Sequence, residues 1–159
     1  MTPDILIKRA TGREAPEIAV MVGALLGEIM NILDTPVFNF DLEETSGRLK
    51  DYLDHEKYFV FLARTKNRDP VGFITLYESY ALYAEGAFGT IPELYVKPPF
   101  RSHKIGRHLL SYAKAFGKSK GWTRLEVTTP PLPHFEKTLV FYEREDFEIT
   151  GGRKLKVVL

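Results

Sequence analysis

The residues of this chain that are suited to bind a charged ligand are concentrated between Glu93 and Glu126. This interval has no acidic residue, but it contains eight lysines and arginines and two histidines. A charge run is usually the solvated face of a helix, and this explanation accounts for the lysines of segment 114–120. It does not account for segment 100–106 (FRSHKIG), because that segment lies where a predicted strand ends and a predicted helix begins.

Segment 100–106 has the features of a phosphate-binding loop. A helix start offers up to about four N–H groups without intrahelical acceptors and roughly half a positive charge. Arg101, Lys104 and Arg107 add cations that suit a ligand with several phosphates. The chain has neither a GxxxxGK[ST] nor a GxGxxG motif, so this loop differs from the familiar nucleotide-binding loops.

Two motifs of the chain resemble those of the GNAT superfamily of N-acetyltransferases, which use acetyl-coenzyme A. Residues 94–98 (LYVKP) and 101–106 (RSHKIG) are similar to the family's strand end, hydrophobic-x-Val-x-Pro, and to its Arg/Gln-x-x-Gly-x-Gly/Ala loop. Residues 141–147 (FYEREDF) are similar to its aromatic-Tyr-Glu-Lys/Arg-x-Gly-Phe signature. The order of the predicted elements resembles the family's along essentially the whole chain.

The resemblance implies acetyl-coenzyme A as cosubstrate and indicates which residues would bind it. The backbone of Leu94 and Val96, on either side of Tyr95, would bond the amides of the pantetheine arm. The pyrophosphate would lie on the loop and the helix start, which comprise Arg101, Ser102, His103, Lys104, Ile105, Gly106 and Arg107.

The chain departs from the family pattern at three places. The first loop glycine is Lys104, and the glycine before Phe147 is Asp146. The Asn and Ala that usually open the last helix are Phe135 and Thr138. At Lys104 a side chain stands where the family lets backbone approach phosphate closely. These departures keep an alternative open, in which the chain is a catalytically weak acyl-coenzyme A binding or regulatory module of the same fold.

Tyr142 and Glu93 are the two candidates for proton transfer. By the resemblance, Tyr142 points at the coenzyme sulfur and protonates the departing thiolate, whose thiol has a pKa of about 8.5. Glu93 precedes Leu94 in the strand that should line the cleft, and a carboxylate near an amine can take its proton directly or through a water. The alternatives are a core tyrosine with its hydroxyl on a carbonyl and a strand carboxylate that faces solvent.

Hydrophobic periodicity and turn residues predict an α/β (α+β) fold with the element order β-α-α-β-β-β-α-β-α-β. The crossover in the second half implies a mixed, mostly antiparallel sheet with helices on both faces. Pro92 in the third central strand predicts an edge or a bulge. The predicted strands are 5–9, 58–63, 71–77, 86–96, 124–128 and one or two over 147–159; the predicted helices are 16–33, one capped by Asp41 that ends near 55, 104–120 and 135–146.

The length of 159 residues predicts a single domain over 1–159. The composition, with 44% hydrophobic and 27% charged residues, is ordinary for a soluble protein. The absence of cysteine excludes disulfides and cysteine nucleophiles and fits a cytoplasmic location. The apolar stretch 18–33 falls short of the ~20 residues that a membrane span needs, so no membrane association is expected.

Nucleic-acid and metal binding are disfavoured as well. The net charge is only +1, and Tyr112 and Phe116 lie on the apolar side of the basic helix, which leaves no stacking platform for bases. The four histidines show no metal-ligand spacing with carboxylates, so we expect no metal.

The expected reaction is direct acetyl transfer to a primary amine of a small molecule or peptide. A thiol acyl-enzyme is excluded because the chain has no cysteine. The acceptor pocket is expected from segments 34–41 and 77–83, although packing or capping is the alternative for each residue. Its candidate residues are Phe38, Phe40, Tyr77, Tyr80 and Tyr83 as walls, with Asp34 or Asp41 for a cationic group. The acceptor's identity and the formation of a homodimer are left open by the sequence.

Overall fold

The computed structural model describes residues 4–159, which divide into two compact units, one ending at Thr128 and the other running from Thr129 to Leu159. The first unit has strands β1 (Ile5–Arg9), β2 (Phe59–Thr65), β3 (Pro70–Ala81), β4 (Gly86–Ile91), β5 (Leu94–Val96) and β6 (Leu125–Val127). Its α-helices are α1 (Ala15–Leu33), α2 (Leu42–Asp54) and α3 (Ile105–Lys120). The second unit contains α4 (Glu136–Arg144). The single domain over 1–159 stays a prediction.

The first unit is built on one mixed sheet with the strand order β1-β2-β3-β4-β6, and β5 pairs with β3. The pairs β1–β2, β2–β3, β3–β4 and β3–β5 are antiparallel. The pair β4–β6 is parallel, and α3 lies in the connection that a parallel pair requires. The predicted fold class, a mixed and mostly antiparallel sheet, is therefore confirmed.

The predicted strand 86–96 consists of two shorter strands, β4 and β5, separated by residues 92–93. β3 pairs with both of them: Tyr77 lies opposite Thr90, and Ile74 lies opposite Leu94. Two residues of β3 between these positions therefore face three residues of the other chain segment, which is a one-residue bulge. Pro92, in the middle of these three residues, has no N–H to give to a ladder. The predicted bulge is confirmed.

Helices cover both faces of this sheet, as predicted. On one face, residues of α1 and α2 form a buried cluster with residues of the strands, including Ile18, Met21, Leu49, Val60, Leu62 and Phe73. On the other face, the ring of Phe116 in α3 lies 4.8 Å from that of Phe59 and 5.7 Å from that of Phe61. Because side chains alternate along a strand, Thr75 and Tyr77 share the α1/α2 face with Phe73.

The helix predicted over 16–33 is confirmed as α1, and it continues a short helical turn that begins at Gly12. The helical stretch Gly12–Leu33 has 22 residues and a mean hydropathy of 1.5, so by length and composition alone it could cross a membrane. Core helices of soluble proteins meet the same criterion, and Ala15, Ile18, Ala19 and Met21 of α1 are buried in this fold. One such helix is therefore a weak indication of membrane association.

The second unit positions α4 and ends it with a defined cap. Asp146 has φ 71°, its N–H donates to the carbonyl of Glu143, and the N–H of Phe147 donates to that of Tyr142. These two bonds form a Schellman motif, whose left-handed position favours glycine. The rings of Tyr142 and Phe147 lie 5.3 Å apart, which is the hydrophobic contact that accompanies this motif.

The strands predicted over 147–159 are wrong for this structure, since no residue of that segment is in a strand. Ile149, Leu155, Val157, Val158 and Leu159 are all at least 76% exposed. Ordering a segment that buries so little apolar surface has no compensation for its conformational entropy. A β-rich composition favours a strand only where a partner strand is available.

Candidate active site

The open edge of β5 is the first element of the site. Phe73 lies opposite Tyr95, and the flanking bonds run from the Thr75 N–H to the carbonyl of Glu93 and from the Lys97 N–H to that of Val71. In such a ladder, alternate residues turn their N–H and C=O groups away from the partner. The backbone of Leu94 and Val96 therefore faces away from β3, toward an edge on which no described strand lies.

The loop after β5 is the second element. Lys104 is the N-cap of α3, with φ 64° and ψ 16°, and its side chain makes no capping hydrogen bond. Ser102 also has a left-handed backbone, with φ 67°. Left-handed residues alternating with others turn successive N–H groups toward one side, where they can bind an anion.

The start of α3 has several backbone N–H groups without a hydrogen-bond acceptor among residues 4–159. In the described part of the chain, the N–H groups from Ser102 to Gly106 have no hydrogen-bond acceptor. Ile105 is buried and anchors the first turn of α3, whereas Lys104 and Arg107 are exposed. These donors and cations fit a pyrophosphate, and the β5 edge fits an amide-containing arm. The residues present are therefore suited to hold coenzyme A.

Arg101 has a different environment from the one expected. Its Nη1 and Nη2 atoms donate to the two carboxylate oxygens of Glu28, each at 2.8 Å, and its Nε donates to the Val96 carbonyl at 2.9 Å. Its guanidinium lies 5.6 Å from the ring centre of Tyr95. The Glu28 carboxylate raises the pKa of Arg101. Arg101 thus ties the end of β5 to α1, and its charge is already paired.

Glu93 lies at the bulge, half-buried, and its environment is built by Thr75. The Thr75 hydroxyl donates to Oε1 of Glu93 at 2.7 Å, and the hydroxyl of Tyr58 is a second donor. Burial raises the pKa of Glu93, and these two hydrogen bonds oppose that rise only in part. The solvent-facing alternative for Glu93 does not describe this carboxylate.

Tyr58, the tyrosine that interacts with Glu93, packs against two further tyrosines. The rings of Tyr58 and Tyr77 are nearly parallel, at 8°, with centres 6.1 Å apart. The ring of Tyr52 lies 5.1 Å from that of Tyr58. Burial, and next the charge of Glu93, raise the pKa of Tyr58, so it is a protonated donor at neutral pH. This aromatic group borders the carboxylate on the sheet face that α2 covers.

Tyr142 is on α4 in the second unit and is 5% exposed. Its ring contacts those of Phe141, at 5.2 Å, and Phe147. Burial raises the pKa of Tyr142. The contacts fit the packing alternative, and its role toward the coenzyme sulfur stays a prediction.

The residues expected to line the acceptor pocket have separate local roles. Asp41 caps α2 by accepting from the Glu44 N–H at 2.8 Å, and the ring of Phe40 lies over Gly23 of α1. The Tyr80 hydroxyl donates to Glu78. Tyr77 stacks on Tyr58, which interacts with Glu93. The remaining candidates, Asp34, Phe38 and Tyr83, are exposed.

No group of three or more histidine or carboxylate side chains among residues 4–159 could hold a metal ion. The expected absence of a metal in this protein stays a prediction.

Comparison with known sequences decides the family. The sequence model of the acetyltransferase (GNAT) family matches residues 26–144, which is most of the chain and includes β5, the loop and α3. The chain belongs to the GNAT family of acetyltransferases. This GNAT protein is therefore an acyltransferase, and its family implies acetyl-coenzyme A as the cosubstrate.

Individual relatives of this GNAT acetyltransferase differ in their acceptors. An aminoalkylphosphonate N-acetyltransferase of Salmonella typhimurium is 28% identical over 123 residues, which cover 77% of this chain and 73% of that protein. A possible acetyltransferase from Clostridium difficile 630 has a TM-score of 0.80 at 17% identity, covering 98% and 97% of the two chains. An aminoglycoside acetyltransferase from an uncultured soil metagenomic sample has a TM-score of 0.75 at 20% identity, covering 98% and 97% of the two chains. At these identities the two structures show the fold alone.

Sequence reasoning missed three residues that contact the candidate site residues Arg101 and Glu93: Glu28, Thr75 and Tyr58. Glu28 is the one charge in the second half of the apolar helix α1, and Thr75 is the one polar side chain in the buried segment 71–76. Each was a polar exception in an apolar pattern, and such exceptions usually have a partner. The sequence does not say which partner.

Proposed function

We propose that this GNAT acetyltransferase moves the acetyl group directly from acetyl-coenzyme A to a primary amine of a small molecule or peptide. The observation that carries the proposal is the half-buried Glu93 carboxylate, which lies at the bulge next to the open edge of β5. In the reaction a nitrogen–carbon bond forms, the carbon–sulfur bond breaks, the nitrogen loses a proton and the sulfur gains one.

The residues that would hold the coenzyme lie on β5 and α3. The backbone of Leu94 and of Val96 would form hydrogen bonds with the pantetheine amides, with the Val96 carbonyl also accepting from Arg101 Nε. The donors from Ser102 to Gly106, with Lys104 and Arg107, would hold the pyrophosphate. Arg101 would act by fixing the end of β5, since Glu28 and the Val96 carbonyl occupy its side chain.

Glu93 would take the proton from the amine. A carboxylate whose pKa is raised by burial is a stronger base than an exposed one, which suits proton abstraction near neutral pH. The absence of cysteine excludes a thiol acyl-enzyme, which supports direct transfer. Tyr142 stays our proposed proton donor to the sulfur, by the family signature that surrounds it.

The acceptor class follows from relatives only as a proposal. The Salmonella protein is named for aminoalkylphosphonates and the metagenomic one for aminoglycosides, and both classes are small-molecule amines. We therefore place small amines ahead of peptides as acceptors. A cytoplasmic location stays a prediction, and so does the absence of nucleic-acid and membrane partners.

A catalytically weak acyl-coenzyme A binding module is the second candidate. Two observations favour it: Lys104 stands at the helix start in place of glycine, and Phe135, the N-cap of α4, makes no side-chain capping bond. Calorimetry with acetyl-coenzyme A and a thiol-release assay over a panel of amines separate the two candidates. Binding without thiol release for any amine would favour the module, whereas no binding would reject both.

The base is tested with Glu93→Gln, which keeps the size and removes the charge. We expect turnover at neutral pH to fall by roughly 10²–10⁴-fold, as for other general bases, with acetyl-coenzyme A affinity unchanged. The exposed Glu148→Gln, which makes the same chemical change in the second unit, is the control and should keep wild-type activity. A folded Glu93→Gln protein with a wild-type pH–rate profile would refute the role of Glu93.

A further inference from the structure

Thr75 is the buried polar residue of the described core. It is 1% exposed, and the other buried side chains in the described part of the chain are hydrophobic. A hydroxyl at such a position costs free energy unless it is fully hydrogen-bonded. The partners of this hydroxyl therefore indicate why a polar side chain stands in the middle of β3.

Across the bulge, Thr75 forms its hydrogen bonds with Glu93. The Glu93 N–H donates to the Thr75 Oγ1 at 2.9 Å, and the Thr75 Oγ1 donates to Glu93 Oε1 at 2.7 Å. The Thr75 N–H donates to the Glu93 carbonyl at 2.9 Å. A hydroxyl has one proton and two lone pairs, so the shorter contact to the carboxylate takes the proton ahead of the 3.3 Å contact to the carbonyl.

These bonds fix the side chain and the backbone of Glu93 at the same time. At a bulge the extra residue has lost its regular ladder partner, and here the hydroxyl of Thr75 replaces that partner for the Glu93 N–H. The same hydroxyl then selects the rotamer of the carboxylate. A valine in its place would fit the apolar core equally well in shape but would leave the N–H and the carboxylate without this partner.

We propose that Thr75 is the positioning residue of Glu93, holding its carboxylate in place at the bulge through one shared hydroxyl. The inference rests on the proposed role of Glu93 as the base. Tyr58 is the second donor to this carboxylate, and Tyr52 and Tyr77 are the titratable groups that face Tyr58 in turn. A hydroxyl donor favours the ionised carboxylate, so it opposes the effect of burial.

The test removes the hydroxyl with Thr75→Val and restores it with Thr75→Ser. Loss of a hydrogen bond to a charged group should raise the pKa of Glu93 by about one to two units. The acidic limb of the kcat/KM profile should move up by the same amount in Thr75→Val and return in Thr75→Ser. The KM for acetyl-coenzyme A should stay unchanged. The control is Thr65→Val, which makes the same change on β2, where the hydroxyl oxygen accepts from the Asp69 N–H.

A second measurement does not depend on activity. The carboxyl carbon of Glu93 is titrated by ¹³C NMR, with Glu93→Gln supplying its assignment. If Thr75→Val does not fold, Thr75→Ala and Tyr58→Phe serve in its place, and Tyr58→Phe should give the smaller upward shift because its bond is the weaker influence.

The outcomes separate the two hypotheses. Upward movement of both the NMR titration and the acidic limb supports the proposal. An unmoved titration in a folded variant overturns it, even where Glu93→Gln is inactive and the base assignment stands. If the NMR titration of Glu93 moves but the acidic limb of the kcat/KM profile does not, Glu93 is not the base. This result overturns both the proposed role of Glu93 and the catalytic role of Thr75.

Discussion

Replacement of Lys104 by glycine separates a backbone effect from a charge effect at the loop that we propose holds the coenzyme. Lys104 has φ 64° and ψ 16°, and it is the residue directly before α3. Its side chain makes no capping bond, and a cation at a helix N-terminus opposes the macrodipole unless an anion is present. Lys104→Gly should therefore stabilise the free protein while giving no gain in coenzyme binding.

The size of each effect follows from the conformation and exposure of Lys104. A left-handed conformation costs an L-residue about 1–2 kcal/mol, and glycine loses roughly 0.5–1 kcal/mol through unfolded-chain entropy. The net gain should be about 0.5–1 kcal/mol, or a rise in Tm of roughly 1–4 °C for a chain of this size. An exposed ion pair contributes at most about 1 kcal/mol, so coenzyme affinity at low salt should fall by up to about fivefold.

The assay combines thermal unfolding without ligand and calorimetric titration with acetyl-coenzyme A at low and high ionic strength. Lys104→Gln is the matched variant, because it removes the charge and keeps a side chain in the left-handed position. It should bind as weakly as Lys104→Gly but gain no backbone stabilisation. Asp146→Gly is the conformational control, since Asp146 has φ 71° at the end of α4 and should gain stability alone.

Two results would refute this reasoning. A lower Tm for Lys104→Gly would show that its left-handed backbone is not a source of strain. Markedly tighter coenzyme binding by the glycine variant would show that the lysine side chain obstructs close approach of backbone to the pyrophosphate. That second result would also place the weak-binding module ahead of the enzyme.

Arg101 and Tyr142 carry the remaining predictions. Arg101→Ala should weaken acetyl-coenzyme A binding through loss of loop position, by roughly fivefold for a partly exposed pair of about 1 kcal/mol, and Glu28→Ala should reproduce most of this loss in the same titration. A strongly salt-dependent loss that Glu28→Ala does not share would instead assign Arg101 to the phosphates. Tyr142→Phe should keep folding and coenzyme affinity while turnover, measured by thiol release, falls by about 10²–10⁴-fold. Wild-type turnover of the folded variant would make Tyr142 a packing residue.

Local backbone features of the site were predictable from the sequence because short-range chemistry determines them. Pro92 cannot donate to a ladder, so a bulge was predictable without knowing the register. Asp41 was predictable as the cap of α2, because its carboxylate reaches the Glu44 N–H three residues later. The start of α3 near Lys104 and its end before Gly121, with φ 76°, followed in the same way.

Partners distant in sequence were decided only by the tertiary structure. Arg101 meets Glu28 across 73 positions of the chain, and nothing in either local pattern specifies this pairing. The strands predicted over 147–159 were wrong for the same reason, since β-propensity alone does not supply a partner strand.

Glu93, the candidate base, shows most clearly which properties the sequence determines and which the tertiary structure decides. The sequence by itself determined that a glutamate lies beside a bulge, because residue order and proline geometry are local properties. The β3 register decided that the hydroxyl of Thr75 lies opposite Glu93 and that Tyr58 reaches the same carboxylate. Burial and hydrogen bonding depend on what surrounds a group in space, so the fold determines the pKa of Glu93.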